Sequence, residues 1–374
     1  MIKHKIGIVT SWAECGMGYL AKNWIYTIQK NLNIFDYQIY SRAVKEFTPF
    51  RWQGDKVING PESMEINHNH FWEWVDKFKP DTLLFQDQNI YGPSNMQEET
   101  DKLKKMGIRL INYPDWILFD DVKKYKGLYH ANLAHIKRNF EWLKQEDCES
   151  PIYIPWGVIL KNFPFQERNP KDKVTFYINL GTGTMRKGYT YIPNALNKLD
   201  GNWFHKLLNP PDYNYSFIAT SIENSKHRVN NKFIRKFNSN PNCELIFKTA
   251  DNKKGGLFTL GDVYIYPTMM EGVGLTITES LASGMPVVTT NFPTMNEWFE
   301  DGHSGKLIDV NYLETNVMNM EKAHICSNHL AEILKEYINN PLLIKEQSHN
   351  ARELVELKYN WDDRDKEFIT LLRG

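Results

Sequence analysis

Short apolar runs rich in β-branched and aromatic residues alternate with stretches of helical periodicity along nearly the whole chain. Lys5–Trp12 (KIGIVTSW) predicts a buried strand, followed by a glycine-containing loop and a helix from Tyr19 to Lys30. Tyr37–Ser41 and Lys56–Asn59 predict further strands, His70–Phe78 a helix, Thr82–Gln86 a strand and Met96–Lys105 a helix. Ile108–Tyr113 reads as a strand and His130–Leu143 as a helix. Across Lys161–Lys173 (KNFPFQERNPKDK) the periodicity vanishes and charged residues, Asn and Pro dominate, as in a linker. The alternation then restarts. Val174–Leu180, Glu244–Thr249, Asp262–Tyr266 and Pro286–Thr290 read as strands. Tyr189–Leu199, Thr276–Ser283, His329–Asn339 and Ile344–Lys358 read as helices, with a helical tail from Trp361. Such alternation implies βαβ units around parallel sheets, which bind ligands at the carboxyl ends of their strands.

Composition narrows the picture. The 374 residues exceed one compact core and suit two domains. With 41% hydrophobic and 24% charged residues, the chain has a globular composition. No apolar run approaches the roughly 18 residues of a membrane span, and the start MIKHKIGIVTSW has no secretory apolar region. A soluble, cytoplasmic protein with no integral membrane segment is expected. Cys15, Cys148, Cys243 and Cys326 have neither zinc nor disulfide spacing. Lys+Arg and Asp+Glu both number 45, so a uniformly basic nucleic-acid binder is excluded.

The densest chemical pattern is Gly261–Asn291, GDVYIYPTMMEGVGLTITESLASGMPVVTTN. It predicts a strand ending at Tyr266, a glycine loop, and a helix opening near Leu275. Gly272 and Gly274 allow close backbone approach, and the amides of Gly274, Leu275 and Thr276 would form an anion site at the helix start. Glu271 before the site and Glu279 one turn inside the helix would flank a bound phosphate and accept hydrogen bonds from hydroxyls. A ligand with hydroxyls on both sides of a diphosphate is a nucleotide-sugar. In a second loop, NLGTGTMRKG, Arg186 and Lys187 place two cations where a departing diphosphate needs them. Gly16-Met-Gly18 with Ala21 spells GxGxxA after the first strand. A dinucleotide site would need an acid at the end of the next strand, which instead closes as YQIYSR.

The stretch Asp262–Thr268, the string EGVGLTITE from Glu271 to Glu279, SLASGMPVV, Glu297 and DGHSG together resemble the retaining GT-B glycosyltransferases that use nucleotide-sugar donors. The resemblance implies two Rossmann-like domains facing across a cleft, with a C-terminal helix crossing back to the first. It divides the chain into an acceptor domain, 1–165 with the return of 359–374, and a donor domain, 166–358. It implies that Glu271 lies by the donor sugar, that Gly274–Thr276 hold sugar and diphosphate, and that Glu279 binds the ribose. The family's lysine corresponds to Lys187, but Thr182 stands where its arginine is expected, so Arg186 is the substitute. Where the family has a histidine contacting the sugar, the chain reads Asn112, Tyr113, Pro114, Asp115, Trp116, and Asp115 is the nearest candidate. Gly16 and Gly18 fall where the family's glycine loop lies beneath the donor phosphates and near the acceptor.

The resulting expectation is transfer of a sugar from a UDP- or GDP-linked donor to an acceptor hydroxyl with retention, by a hexosyl- or pentosyltransferase with no cofactor and no bound metal. Acceptors compatible with it are a glycan, a lipid-linked sugar, a small metabolite or a modified nucleobase. A sugar-nucleotide hydrolase or epimerase with the same pocket, an NAD-dependent oxidoreductase and a nucleic-acid-binding protein are the alternatives. His68, His70 and Glu73 lack the spacing of a helical zinc site. The run Lys226, His227, Arg228, Lys232, Arg235 and Lys236 reads as a solvated face, or as a contact for an anionic acceptor. Phe71, Trp74 and Phe78 fall at helical spacing and read as a core stripe.

Overall fold

The computed structural model describes residues 2–42, 51–61, 66–86, 96–115, 122–200, 214–222, 227–247, 256–315 and 320–374. Trp116 and Lys226 lie outside them. The chain forms two compact units, one of Met1–Trp156 with Trp361–Gly374 and one of Gly157–Asn360.

Among the described residues the first unit is built on seven strands: β1 (His4–Thr10), β2 (Phe35–Ser41), β3 (Val57–Asn59), β4 (Thr82–Gln86), β5 (Arg109–Tyr113), β6 (Ala131–Ala134) and β7 (Pro151–Tyr153). Their order is β3-β2-β1-β4-β5-β6-β7 and every pairing is parallel. Order reverses between β1 and β4, the switch point of a doubly wound sheet. The inner strands β1, β2, β4, β5 and β6 are mostly buried because helices cover both faces, while the edge strands β3 and β7 are half-buried. Helices α1 (Gly16–Lys30), α2 (His68–Phe78), α3 (Met96–Lys105) and α4 (Lys137–Gln145) supply the cover. On α2, Phe71, Trp74, Val75 and Phe78 enter the core. Trp72 is buried too, donating Nε1 to Glu99 at 3.0 Å with the Lys102 ammonium 3.7 Å above its ring.

The expected helix over His130–Leu143 is corrected. Its first part is β6, whose four residues are all buried between β5 and β7, and only Lys137–Gln145 is helical. The alternation of a buried strand four residues long is too short to show against a helical period.

Among the described residues the second unit has six parallel strands: β8 (Val174–Asn179), β9 (Tyr215–Ser221), β10 (Cys243–Phe247), β11 (Val263–Tyr266), β12 (Val287–Thr290) and β13 (Gly305–Ile308). Their order is β10-β9-β8-β11-β12-β13. An antiparallel hairpin, β14 (Val310–Thr315) with β15 (Glu321–Ile325), follows. Its helices are α5 (Ile192–Asp200), α6 (Asn231–Asn238), α7 (Leu275–Ala282), α8 (Ser327–Asn339) and α9 (Pro341–Lys358). The segment Lys161–Lys173 belongs to this unit. Arg168 is buried within it, donating to the carbonyls of Gly261 at 3.0 Å and Phe258 at 2.6 Å. These two bonds, a third to the Ser283 carbonyl at 3.4 Å, and Arg168 N donating to Ser348 Oγ at 3.0 Å pin a stretch whose composition alone reads as a linker.

The tail returns to the first unit. Helix α10 (Asp365–Arg373) packs on α1, and the fully buried Trp361 donates Nε1 to Thr27 Oγ1 at 3.0 Å. Thr82 Oγ1 donates to the carbonyl of Leu372 at 2.8 Å, fastening the last turn to the edge of β4. His135, wholly buried, accepts from Trp24 Nε1 at 3.0 Å and lies among the rings of Tyr113, Trp156 and Trp361. Burial pushes its imidazole down to about 4, so it is held neutral. Among the described residues no helix is long and apolar enough to cross a membrane.

Candidate active site

Two loops at the carboxyl ends of β8 and β11 meet in the second unit. The first turns through Gly181, Gly183 and Gly188, all at positive φ. Gly188 is obligatory: a Cβ there would sit 1.7 Å from the Pro267 carbonyl oxygen. The two loops therefore abut backbone to backbone, with no room for a side chain at this position. Met269 N donates to Arg186 O at 2.8 Å, and Arg186 Nη1 donates to Met270 O at 2.6 Å, so each loop holds the other.

The stitching brings Arg186, Lys187 and Glu271 together. Glu271 Oε1 lies 2.7 Å from Arg186 Nη1 and accepts from Lys187 Nζ at 2.8 Å. The same oxygen accepts from the hydroxyls of Tyr266 at 2.6 Å and Thr268 at 2.7 Å. Lys187 also donates to the Tyr266 hydroxyl at 2.6 Å, closing a Lys–Tyr–Glu triangle. Every one of these bonds to the carboxylate ends on Oε1, and among the described residues none reaches Oε2.

Electrostatics follow from that geometry. Burial alone would raise the Glu271 carboxyl, but Arg186 and Lys187 outweigh it and hold it well below the ordinary carboxylate range. Burial pushes the Lys187 ammonium down to about 8, with Glu271 opposing and Arg186 assisting. Two cations around one carboxylate leave the cluster net positive while Lys187 is protonated. Its exposure is 27% for Arg186, 16% for Lys187 and 7% for Glu271, so the cations face outward more than the acid.

The second part of the site is the start of α7. Gly274 takes a left-handed conformation at φ 77° as its N-cap, and Ile277 N already uses the Gly274 carbonyl. Leu275 and Thr276 are half-buried first-turn residues whose amides have no intrahelical partner. The Tyr264 hydroxyl donates to Thr276 Oγ1 at 3.2 Å. Glu279 is half-buried one turn on, and desolvation pushes its carboxyl up to about 7.

Gly16, Gly18 and Asp115 lie in the first unit. Gly16 opens α1 and is exposed. Gly18 is buried, and a Cβ there would fall 2.1 Å from Ala13 O and 2.9 Å from the Trp52 ring, so this glycine is demanded by packing. Asp115 is buried beside Tyr113, whose hydroxyl approaches Oδ1 at 3.4 Å, while Asn139 Nδ2 donates to its carbonyl at 3.2 Å. Thr182 is half-buried in the cation loop.

Sequence reading missed Tyr266 and Thr268 as parts of the cluster. The signal was present, because alternate residues leaving a strand share a face, and Tyr266 and Thr268 frame the turn toward Glu271. Among the described residues no three His, Cys, Asp or Glu side chains are grouped as a metal site. His70 Nδ1 pairs with the Tyr40 hydroxyl at 3.1 Å, and His68 lies 3.1 Å from Glu99. Of the basic run, Lys232, Arg235 and Lys236 are exposed along α6.

Residues 161–353 match the family model of glycosyl transferases group 1. A sucrose synthase from Denitrovibrio acetiphilus is 33% identical over 111 residues, which is 30% of this chain and 13% of that protein. The chain therefore matches a small fraction of the length of such relatives. Among solved structures, a sucrose-phosphate synthase from Thermosynechococcus elongatus superposes with a TM-score of 0.75 at 11% identity, covering 99% of this chain and 98% of that one. HepE from Anabaena, in complex with UDP and glucose, superposes with a TM-score of 0.69 at 12% identity, covering 99% of both chains. At those identities the likeness is one of fold, two parallel-sheet Rossmann-like domains of the GT-B type.

Proposed function

The chain belongs to the group 1 glycosyl transferases, and from that premise we propose that it moves a sugar from a UDP- or GDP-linked donor to an acceptor hydroxyl with retention of anomeric configuration. The observation that carries the proposal is the Arg186–Lys187–Glu271 cluster beside the open turn of α7. Arg186 and Lys187 are assigned to the diphosphate, where they would offset the negative charge that grows as the glycosidic phosphate bond breaks. The amides of Gly274, Leu275 and Thr276 are assigned to the same phosphates through the helix start. Glu271, held by four donors on Oε1, would turn Oε2 to the hydroxyls of the donor sugar. Glu279 is assigned to the ribose. Gly16, Gly18 and Asp115 are assigned to the acceptor side in the first unit.

In the proposed reaction the bond between the anomeric carbon and the phosphate oxygen breaks as a bond from that carbon to the acceptor oxygen forms on the same face. The acceptor proton passes to the departing phosphate, giving a glycoside and a nucleoside diphosphate. No side chain is assigned as nucleophile. The likeness to HepE, whose structure holds UDP and glucose, makes UDP-glucose the first donor to test.

The test is a thermal-shift panel of UDP-, GDP-, ADP- and CMP-sugars, followed by product analysis with and without acceptor. Stabilisation by UDP or GDP is expected, with retained configuration in the product by NMR. Full activity in both Glu271→Gln and Lys187→Ala would sink the assignment of residues. An inverted product would overturn retention, and donor hydrolysis unchanged by any acceptor would replace transfer by a hydrolase.

A further inference from the structure

An aromatic cluster in the first unit takes no part in the machinery assigned above. Trp12 lies just beyond β1, Tyr19 is in the first turns of α1, and Trp52 sits on a segment joined to that loop by the Ala13–Arg51 bridge. Trp52 N donates to Trp12 O at 2.9 Å, so the segment is fixed at two successive residues. The rings meet edge to face: Trp12 with Trp52 at 4.9 Å and 81°, Tyr19 with Trp52 at 5.5 Å and 78°. Glu14 braces them, with Oε2 accepting from Trp52 Nε1 at 3.2 Å and Oε1 accepting from the Tyr19 hydroxyl. The Lys22 ammonium lies 3.4 Å from the centre of the Trp52 ring.

The rings are partly open to solvent. Among the described tryptophans, Trp24, Trp72, Trp74, Trp156, Trp298 and Trp361 are buried, whereas Trp12, Trp52 and, on α4, Trp142 are half-buried; Glu14 and Tyr19 are half-buried beside Trp12 and Trp52. Trp12 makes a single ring contact among the described residues, which occupies at most one of its faces, and its indole N–H has no partner among them. Beside it the Ser11 hydroxyl is 1% exposed and lacks a hydrogen-bond partner among the described residues. All this lies past the carboxyl end of β1, next to the switch point, where open parallel sheets bind ligands.

A flat aromatic face, a carboxylate and spare donors match a pyranose ring, which has an apolar face of C–H groups and a rim of hydroxyls. A nucleic acid fits poorly, because Glu14 would repel its phosphates and the ammonium of Lys22 is engaged by Trp52. We propose that Trp12, Glu14, Tyr19 and Trp52 form a subsite for a pyranose ring of a saccharide acceptor, with Trp12 as the stacking platform. The proposal rests on the glycosyltransferase reading for its biological sense, and names the acceptor class that reading leaves open.

The test is saturation-transfer NMR of the full chain with the methyl glycosides of glucose, galactose and N-acetylglucosamine and with their disaccharides. Saturation of pyranose C–H protons is expected in the parent, reduced about fivefold or more in Trp12→Ala and largely restored in Trp12→Tyr. Glu14→Gln should weaken it too, since an amide oxygen and an amide nitrogen cannot both accept from Tyr19 and Trp52. Unchanged melting temperatures and unchanged stabilisation by UDP would show that the fold and the donor site survive in the variants. No saccharide saturation at millimolar concentration, saturation equal in Trp12→Ala, or saturation by a DNA oligomer in place of sugars would each overturn the proposal. Absence of any nucleotide stabilisation would instead count against the donor reading, and the NMR result would still decide the subsite.

Discussion

Tyr266→Phe removes one oxygen from the buried triangle and leaves the ring in place. That hydroxyl accepts from Lys187 at 2.6 Å and donates to Glu271 at 2.6 Å. Glu271 Oε1 keeps three donors, so the carboxylate stays ionised and placed. Lys187 loses more, because Glu271 becomes its one remaining acceptor among the bonds described. A hydrogen bond to a charged group contributes about 1.5–3 kcal/mol, and each pKa unit corresponds to about 1.4 kcal/mol. Losing an acceptor disfavours the charged ammonium, so the Lys187 value falls from about 8 by roughly one to two units. The kcat/KM profile of the free enzyme against pH would show it, with the basic limb moving acidward by that amount. Stability should fall by about 2 kcal/mol, a few degrees in melting temperature for a unit of this size. A basic limb that stays in place while melting falls would refute the role given to Lys187, and leave Tyr266 as packing alone.

Further outcomes are expected elsewhere. Gly188→Ala, which sets a methyl 1.7 Å from Pro267 O at a φ of 66°, should cost about 3 kcal/mol or more and abolish nucleotide stabilisation. A Gly188→Ala protein that melts and binds UDP normally would contradict the abutting loops. Glu279 titrates near 7 because burial favours its neutral form; if its carboxylate binds the ribose, UDP affinity should weaken as pH falls below that value and become flat in Glu279→Gln, as calorimetry would read. His135 has its ordinary value of 6.5 when unfolded and about 4 when folded, so the unfolded chain binds the proton first. Stability is then lost as pH falls from 6.5 towards 4, by about 3 kcal/mol in all, and denaturant titrations of His135→Gln should lack that slope.

Much of this was legible before any fold was known. The alternation of strand and helix marked two parallel-sheet units, because strands covered on both faces must read as apolar runs. The cation loop and the EGVGLTITE stretch were legible because each is continuous in sequence. Two things were hidden. Residues 131–134 form a buried strand, but so short a run could not be told from the adjoining helix. Arg168, in a stretch composed like a linker, turned out to be a buried anchor whose acceptors are main-chain carbonyls about ninety or more residues away.

Local pattern thus settled which elements form and which short segments hold charged chemistry, since hydrophobic period, glycine placement and capping act over a few residues. The convergence of Tyr266, Thr268, Arg186 and Lys187 on one oxygen of Glu271 was set by the packing of two loops more than eighty residues apart. So was the part-open ring cluster at Trp12 and Trp52, where burial depends on what the rest of the unit leaves uncovered. Contact across such separations depends on the whole sheet and its register, and no local period encodes it.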